Sequence, residues 1–185
     1  MAELLIGLCG KKGSGKTFVA EHLRDDKGAT ILRFADTLKA MMRVMGLTES
    51  QIDGNQKETP SHILNGNTPR YAMQTLGTEW GRETIYQNIW VNILIEKSKS
   101  VDGLVVCDDV RFPNEIKAIH EQGGIVAWVE RKSIYAQGDT HSSETSINSN
   151  HCDVIVDNTR DIHVVASNIL GWADLQQQLT RKKLI

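Results

Sequence analysis

Apolar residues in this chain fall into five short runs, separated by stretches whose apolar positions recur at helical spacing. The runs are Leu4-Leu5-Ile6-Gly7-Leu8-Cys9, Thr30-Ile31-Leu32-Arg33-Phe34-Ala35, Leu104-Val105-Val106-Cys107, Gly124-Ile125-Val126-Ala127-Trp128-Val129 and Val154-Ile155-Val156. Nearly continuous runs rich in Val, Ile and Leu are what strands buried on both faces require. Phe18, Val19 and Leu23 follow the first run at helical spacing, and a second helix is expected from Asp36, as N-cap, through Met45 to a stop at Gly46. Further helical pattern covers Pro69 to Lys99 with a break near Gly81, then Pro113 to Gln122 and Ile162 to Leu179. Strands alternating with helices predict a parallel sheet covered by helices, a three-layer α/β/α arrangement.

Two polar stretches interrupt this alternation. Thr48 to Thr68 is Gly/Asn-rich and contains Pro60, and Lys132 to Asn150 is rich in Ser, Thr, Asn and His. Each is too long to be a bare connection. Each reads either as a solvated loop or as a movable part that closes over substrates.

The first strand leads into Gly10-Lys11-Lys12-Gly13-Ser14-Gly15-Lys16-Thr17, which fits G-x-x-x-x-G-K-[ST] in its proper strand–loop–helix setting. Glycines let the backbone curl so that successive N–H groups point at phosphate oxygens. Gly10, Lys12, Gly13, Ser14, Gly15, Lys16 and Thr17 are therefore the candidate ATP-binding residues. Lys16 would reach the β- and γ-phosphates, and the Thr17 hydroxyl would ligate Mg²⁺. The third run ends in Asp108-Asp109, the form of a strand that delivers a carboxylate to that ion, with Asp109 preferred and Asp108 open as the alternative.

Composition narrows the class. A chain of 185 residues with net charge −2 and mixed signs suits one globular domain, not a nucleic-acid grip. No apolar run approaches the roughly 20 residues of a membrane span, and no leader pattern is read at the N-terminus, so a soluble, cytoplasmic protein is expected. Cys9, Cys107 and Cys152 are far apart and lack C-x-x-C spacing, and the two that end apolar runs read as small buried side chains in a reducing cytosol. His141, His151, Cys152 and Asp153 are rejected as a zinc site, because adjacent residues of an extended segment point to opposite faces.

Other phosphate-loop classes fit less well. Asn158-Thr159-Arg160-Asp161 has Thr where a guanine-reading N-K-x-D element needs Lys, and Val110 follows Asp109 where a motor ATPase usually places a water-activating Glu. Small kinases remain. Arg70, Arg82, Arg111 and Arg131 lie near helix starts and strand ends, with Lys39 and Lys57 in the stretch after the second strand. Transfer between two phosphates brings two anions into line and calls for such cations on both sides.

The motifs Phe34-Ala35-Asp36-x-Leu38-Lys39, Thr68-Pro69-Arg70, Gln74-Thr75-Leu76-Gly77-Thr78-Glu79-Trp80-Gly81-Arg82, Asp109-Val110-Arg111-Phe112-x-Asn114-Glu115 and His141-Ser142-Ser143-Glu144 occur in this order over nearly the whole chain. In them the sequence resembles the bacteriophage deoxynucleoside monophosphate kinases. The resemblance implies a P-loop kinase fold with a five-stranded parallel sheet in a single domain. It also implies a monophosphate-binding insertion at about 48–100 and a lid at about 132–150. It implies ATP-dependent phosphorylation of deoxynucleoside 5′-monophosphates, in the host cytoplasm if the chain is phage-encoded. By matched position Arg70 would hold the acceptor phosphate, with Phe34, Asp36, Lys39, Gln74, Trp80, Arg82 and Glu144 on the acceptor side. Lys16, Arg70, Arg111 and Arg131 would act on the transferring group. The segment after Arg131 carries Lys132 but no further Arg, and Asn158-Thr159-Arg160 lacks a glycine often seen there in this class. Two other readings stay open on the sequence: a kinase of a hydroxyl acceptor such as dephospho-coenzyme A or a sugar acid, with Asp36 as base, and a non-catalytic nucleotide switch. Trp90 and Trp172 read as core or interface, and the chain as monomer or homodimer.

Overall fold

The computed structural model describes residues 2–131 and 147–183. Five strands form one sheet: β1 (Ala2–Cys9), β2 (Thr30–Ile31), β3 (Gly103–Cys107), β4 (Ile125–Glu130) and β5 (Val154–Asp157). Their order is β2-β3-β1-β4-β5, and every pairing is parallel. β3, β1 and β4 occupy the interior positions, so their backbone groups pair on both sides and their side chains are largely covered on both faces. This is why their sequences read as unbroken apolar runs.

The helices are α1 (Lys16–Lys27), α2 (Asp36–Val44), α3 (Glu49–Ile52), α4 (Pro69–Thr75), α5 (Ile89–Lys99), α6 (Pro113–Glu121) and α7 (Ile162–Lys183). A wide, π-type helical segment, Leu76–Ile85, continues from α4.

The described chain divides into two compact units, residues 1–33 with 95–185 and Phe34–Leu94. In the first, Ile6 and Leu8 of β1 turn toward Val19, Ala20 and Leu23 of α1 and Val165, Ala166 and Ile169 of α7, all closely buried. Side chains alternate across a strand, so Gly7 faces the other way, where Ile119 of α6 fills the space its missing side chain leaves. The second unit is helical, with its own small core of Met42, Leu47 and Ile52 covered by Leu38, Leu64, Ala72, Met73 and Leu76. It begins at Phe34, well ahead of residue 48, where the polar stretch starts.

Three expectations change, and one contact was not foreseen. The second strand is Thr30–Ile31 and not a run to Ala35. Leu32 N–H still donates to Val106 O (3.0 Å), but the Arg33 side chain then leaves to pair with Asp108, and Phe34–Ala35 turns into α2. Asp36 is the first helical residue of α2, and Ala35 holds the cap position. The helical break falls not at Gly81 but at Tyr86, whose backbone is extended (φ −168°, ψ 130°). Finally, the thiols of Cys9 and Cys152 meet at 2.9 Å despite 143 residues of separation, because β1 and the start of β5 both flank β4. The lid stretch lies mostly outside the described residues, Glu144 and His141-Ser142-Ser143 included; past it, Ser149–His151 forms a single 3₁₀ turn.

Candidate functional site

The loop between β1 and α1 holds the shape its glycines allow. Gly10, Gly13 and Gly15 have φ of 140°, 80° and 91°, values a side chain makes costly. A Cβ at Gly10 would also collide with the Val129 carbonyl of β4, and one at Gly15 with the Asn158 side-chain amide. Asn158 follows β5. Its Nδ2 donates to Ser14 O (2.9 Å) and its backbone N–H to Glu130 O (2.8 Å), so it braces the loop against the sheet. The Ser14 hydroxyl is buried with no hydrogen-bond partner among the described residues. Gly15 precedes Lys16 at the start of α1, where helix N–H groups are unpaired and attract anions.

Lys16 curls back over this loop, and its Nζ donates to Gly10 O (2.7 Å) and Lys11 O (3.0 Å). Its pKa is pulled down to about 8, first by burial and then by the Arg111 charge, against the opposing pull of Cys9, Asp108 and Asp109. Lys12 and Thr17 are exposed. Arg111 follows the end of β3, and its turn is fixed by Glu115. That buried carboxylate of α6 accepts the backbone N–H groups of Arg111 (2.7 Å) and Phe112 (3.1 Å). Lys16, Arg111, Asp108 and Asp109 are thus gathered beside the loop. Arg131 is exposed just past β4.

The two aspartates differ. Asp108 is buried and bound through both oxygens to Arg33, Oδ1 to Nε at 2.6 Å and Oδ2 to Nη2 at 3.0 Å. Asp109 is half-buried, with Oδ1 accepting from Cys107 Sγ at 3.2 Å. Burial raises the Cys107 thiol above its ordinary pKa, and the Asp109 charge adds to it. Cys9, at the root of the loop, is raised as well, first by its hydrogen bond with Cys152 and then by burial.

Acceptor-side candidates cluster in the second unit. Thr68 Oγ1 caps α4 by accepting from Tyr71 N–H (3.2 Å), and Pro69 takes the first helical position, where its lack of an N–H costs nothing. Arg70 comes next, with its Nε on the exposed Glu58 carboxylate and its backbone N–H on Lys57 O (3.0 Å). Gln74 and Arg82 are half-buried and Trp80 is 39% exposed. Lys39 and Lys57 converge on Asp53 at 2.7 and 3.5 Å. Burial works to raise the Asp53 pKa, but the two lysines outweigh it and the net shift is downward. Phe34 is 6% exposed, a core position, and Asp36 is half-buried.

Sequence reasoning missed Arg33, Asn158, Glu115 and Trp90 as supports. Glu115 stood in the quoted Asp109–Glu115 motif, and its spacing three residues past Phe112 is a helix-start signal. Nothing local marked Arg33, which lies 75 residues from its partner.

The sequence profile of the deoxynucleotide monophosphate kinase family matches residues 47–169. A chain of Acanthamoeba polyphaga mimivirus, provisionally named a deoxynucleotide monophosphate kinase, is 36% identical over 95% of this chain and 99% of its own. A deoxynucleoside-5′-monophosphate kinase of Escherichia phage T5 matches locally, 41% identical over 29% of this chain and 22% of that one. Shikimate kinase from Aquifex aeolicus shares the fold, with a TM-score of 0.52 at 12% identity over 92% of this chain and 96% of its own.

Proposed function

Because this chain belongs to the deoxynucleotide monophosphate kinase family, we propose that it phosphorylates deoxynucleoside 5′-monophosphates to diphosphates with ATP, as its Mg²⁺ complex, as donor. The observation that carries the donor assignment is the glycine-shaped loop with Lys16 folded across it and Arg111 within electrostatic reach.

An oxygen of the acceptor monophosphate attacks the γ-phosphorus, and the bond from that phosphorus to the β–γ bridging oxygen breaks, leaving ADP. The acceptor is already ionised near neutral pH, because its second pKa lies near 6. No general base is needed, and Asp36 has no proton to take. What the reaction needs is alignment of two anions and compensation of charge on the passing group. Lys16 gives up its two loop carbonyls for phosphate oxygens, and contact with the anion restores its full charge. Arg111 acts from the β3 side and Arg131 from the end of β4. Arg70 grips the acceptor phosphate once that phosphate displaces Glu58, an exposed partner that is readily exchanged. Gln74, Trp80, Arg82 and Lys39 complete the acceptor side.

The metal fit is to hard oxygen donors. Thr17 presents an exposed hydroxyl and Asp109 a half-buried carboxylate, whereas Asp108 is already committed to Arg33. Thr17 and Asp109 would hold the ion, which would supply charge neutralisation on the triphosphate.

Among the described residues no helix is long and apolar enough to cross a membrane, which suits a soluble enzyme acting on small nucleotides in host cytoplasm. The test is ATP-coupled turnover against a panel of deoxy- and ribonucleoside monophosphates, with a coenzyme A precursor and a sugar acid as controls. Turnover is expected with deoxynucleotides. Turnover with the hydroxyl acceptors alone would overturn the assignment.

A further inference from the structure

The acceptor segment is held in an unusual helical form, and one buried side chain outside it grips it at two points. Leu76–Ile85 is wound as a wide helix, and at its end Tyr86 N–H reaches back five residues to Gly81 O (3.0 Å). Such winding is seldom favoured by local sequence and is found mostly at functional sites. Inside it the Thr84 hydroxyl donates to Glu79 O (2.8 Å). Trp90, the second residue of α5, is 4% exposed. Its indole N–H donates to Gly77 O at 2.7 Å. Its ring edge also occupies the space where a side chain at Gly81 would stand, so that a Cβ there would lie 2.6 Å from Cζ2 and 2.9 Å from Cε2 and Nε1. The ring lies 6.5 Å from that of Trp80, tilted by 45°.

Trp90 thus takes hold of the segment at Gly77, through a carbonyl, and at Gly81, through an absent side chain. Thr78, Glu79 and Trp80 lie between those grips, and Arg82 follows directly. On a helix the direction of each side chain is set by the winding of the backbone. Relaxing five-residue winding to four-residue winding would rotate Trp80 and Arg82 relative to the Arg70 end.

We propose that Trp90 is a positioning residue for the acceptor site: it fixes the wide winding of Leu76–Ile85 and so sets the direction of Trp80 and Arg82. It touches no substrate itself. This rests on the reading of Arg70–Arg82 as the deoxynucleotide-binding segment. Trp90 is the chemical reason for the glycine at 81, which yields room to its ring, while at Gly77 it takes only the backbone carbonyl.

The experiment compares wild type with Trp90→Phe, Gly81→Ala, the double variant and Trp80→Leu, varying each substrate separately and following melting. Trp90→Phe keeps a buried aromatic ring but loses the N–H. It is expected to raise KM for the deoxynucleotide about tenfold, to leave KM for ATP within about twofold and to melt cooperatively. Gly81→Ala should show the same one-sided defect, and it carries the test if Trp90→Phe does not fold. The double variant should be less impaired than the two single losses added together, because the smaller ring leaves room for the new methyl. Trp80→Leu should raise the deoxynucleotide KM in its own right. If Trp80→Leu is impaired while Trp90→Phe and Gly81→Ala match wild type, the positioning role is overturned and the acceptor reading stands. If Trp80→Leu too is unaffected, the acceptor reading itself fails and this inference with it. Equal losses on the ATP and deoxynucleotide sides, tracking a lowered melting point, would mean that Trp90 is core alone.

Discussion

The loop between β1 and α1 and the stretch from Thr68 to Arg82 are both assigned to phosphate, yet they are built in opposite ways. In the loop the backbone does the work. Three glycines at positive φ set its curl, Val129 O and Asn158 close on it where no side chain fits, and a single lysine spans it. In the acceptor stretch side chains do it, and Arg70 is lent to Glu58, as Lys39 of α2 is lent to Asp53. On the proposed reading the loop is preorganised for a triphosphate. The acceptor stretch keeps Arg70 in an exchangeable surface pair, worth little, which a substrate phosphate can displace. A donor common to many reactions suits the first arrangement, and an acceptor that must be selected suits the second.

The largest expected effect is at the loop. Lys16→Ala should lower turnover by about 10³-fold or more while melting stays cooperative and near wild type. Near-normal turnover in that variant would remove the loop from the chemistry. Next comes the pair at the end of β3, which separates function from folding. Asp109→Asn should reduce Mg²⁺-dependent turnover by about 10²-fold with little change in stability. Asp108→Asn should instead cost about 2 kcal/mol, because it strips the buried partner from Arg33, and lower the melting midpoint by about 5 °C. The reverse pattern, measured by kinetics and thermal melts of both variants, would exchange their roles.

On the acceptor side, Arg70→Lys keeps the charge but loses the fork. KM for the deoxynucleotide should rise and kcat fall, together about 10²-fold in kcat/KM, with KM for ATP little changed. A defect confined to ATP would place the acceptor phosphate elsewhere. The smallest effect is one of pH. Lys16 is charged below a folded pKa of about 8 and neutral above it. Binding of ATP to the free enzyme should therefore weaken as pH climbs through that value, whereas kcat, set by a complex in which phosphate holds the lysine protonated, should stay flatter. The same depressed pKa means that folding is opposed by this lysine below about 8 and relieved of that cost between about 8 and its ordinary 10.5. A pH profile of ATP binding, flat from pH 7 to 9, would show that the lysine does not govern it.

The contrast also explains what could be read in the sequence. A backbone-made site leaves a spaced pattern, so the loop and its lysine were legible from Gly10 to Thr17. The sheet was legible because buried strands must be apolar throughout. The acceptor stretch was legible only through family resemblance, since no elementary rule links Arg70, Gln74, Trp80 and Arg82. Interactions between distant segments left no trace: Arg33 with Asp108, Asn158 with the loop, and Cys9 with Cys152 join residues 75 to 144 apart. The early end of β2 belongs with them, because Arg33 leaves the strand pattern for Asp108, just past the end of β3. The wide winding at Leu76–Ile85 was misplaced as a break at Gly81. A glycine there reads locally as a helix breaker, whereas its reason is the Trp90 ring.

Following the labelled γ-phosphoryl group of ATP in the presence of a deoxynucleoside monophosphate tests the donor-and-acceptor division most directly. The label should appear on the deoxynucleoside diphosphate, dependent on the monophosphate and abolished by Lys16→Ala. Label released only as inorganic phosphate, at a rate indifferent to the monophosphate, would contradict it.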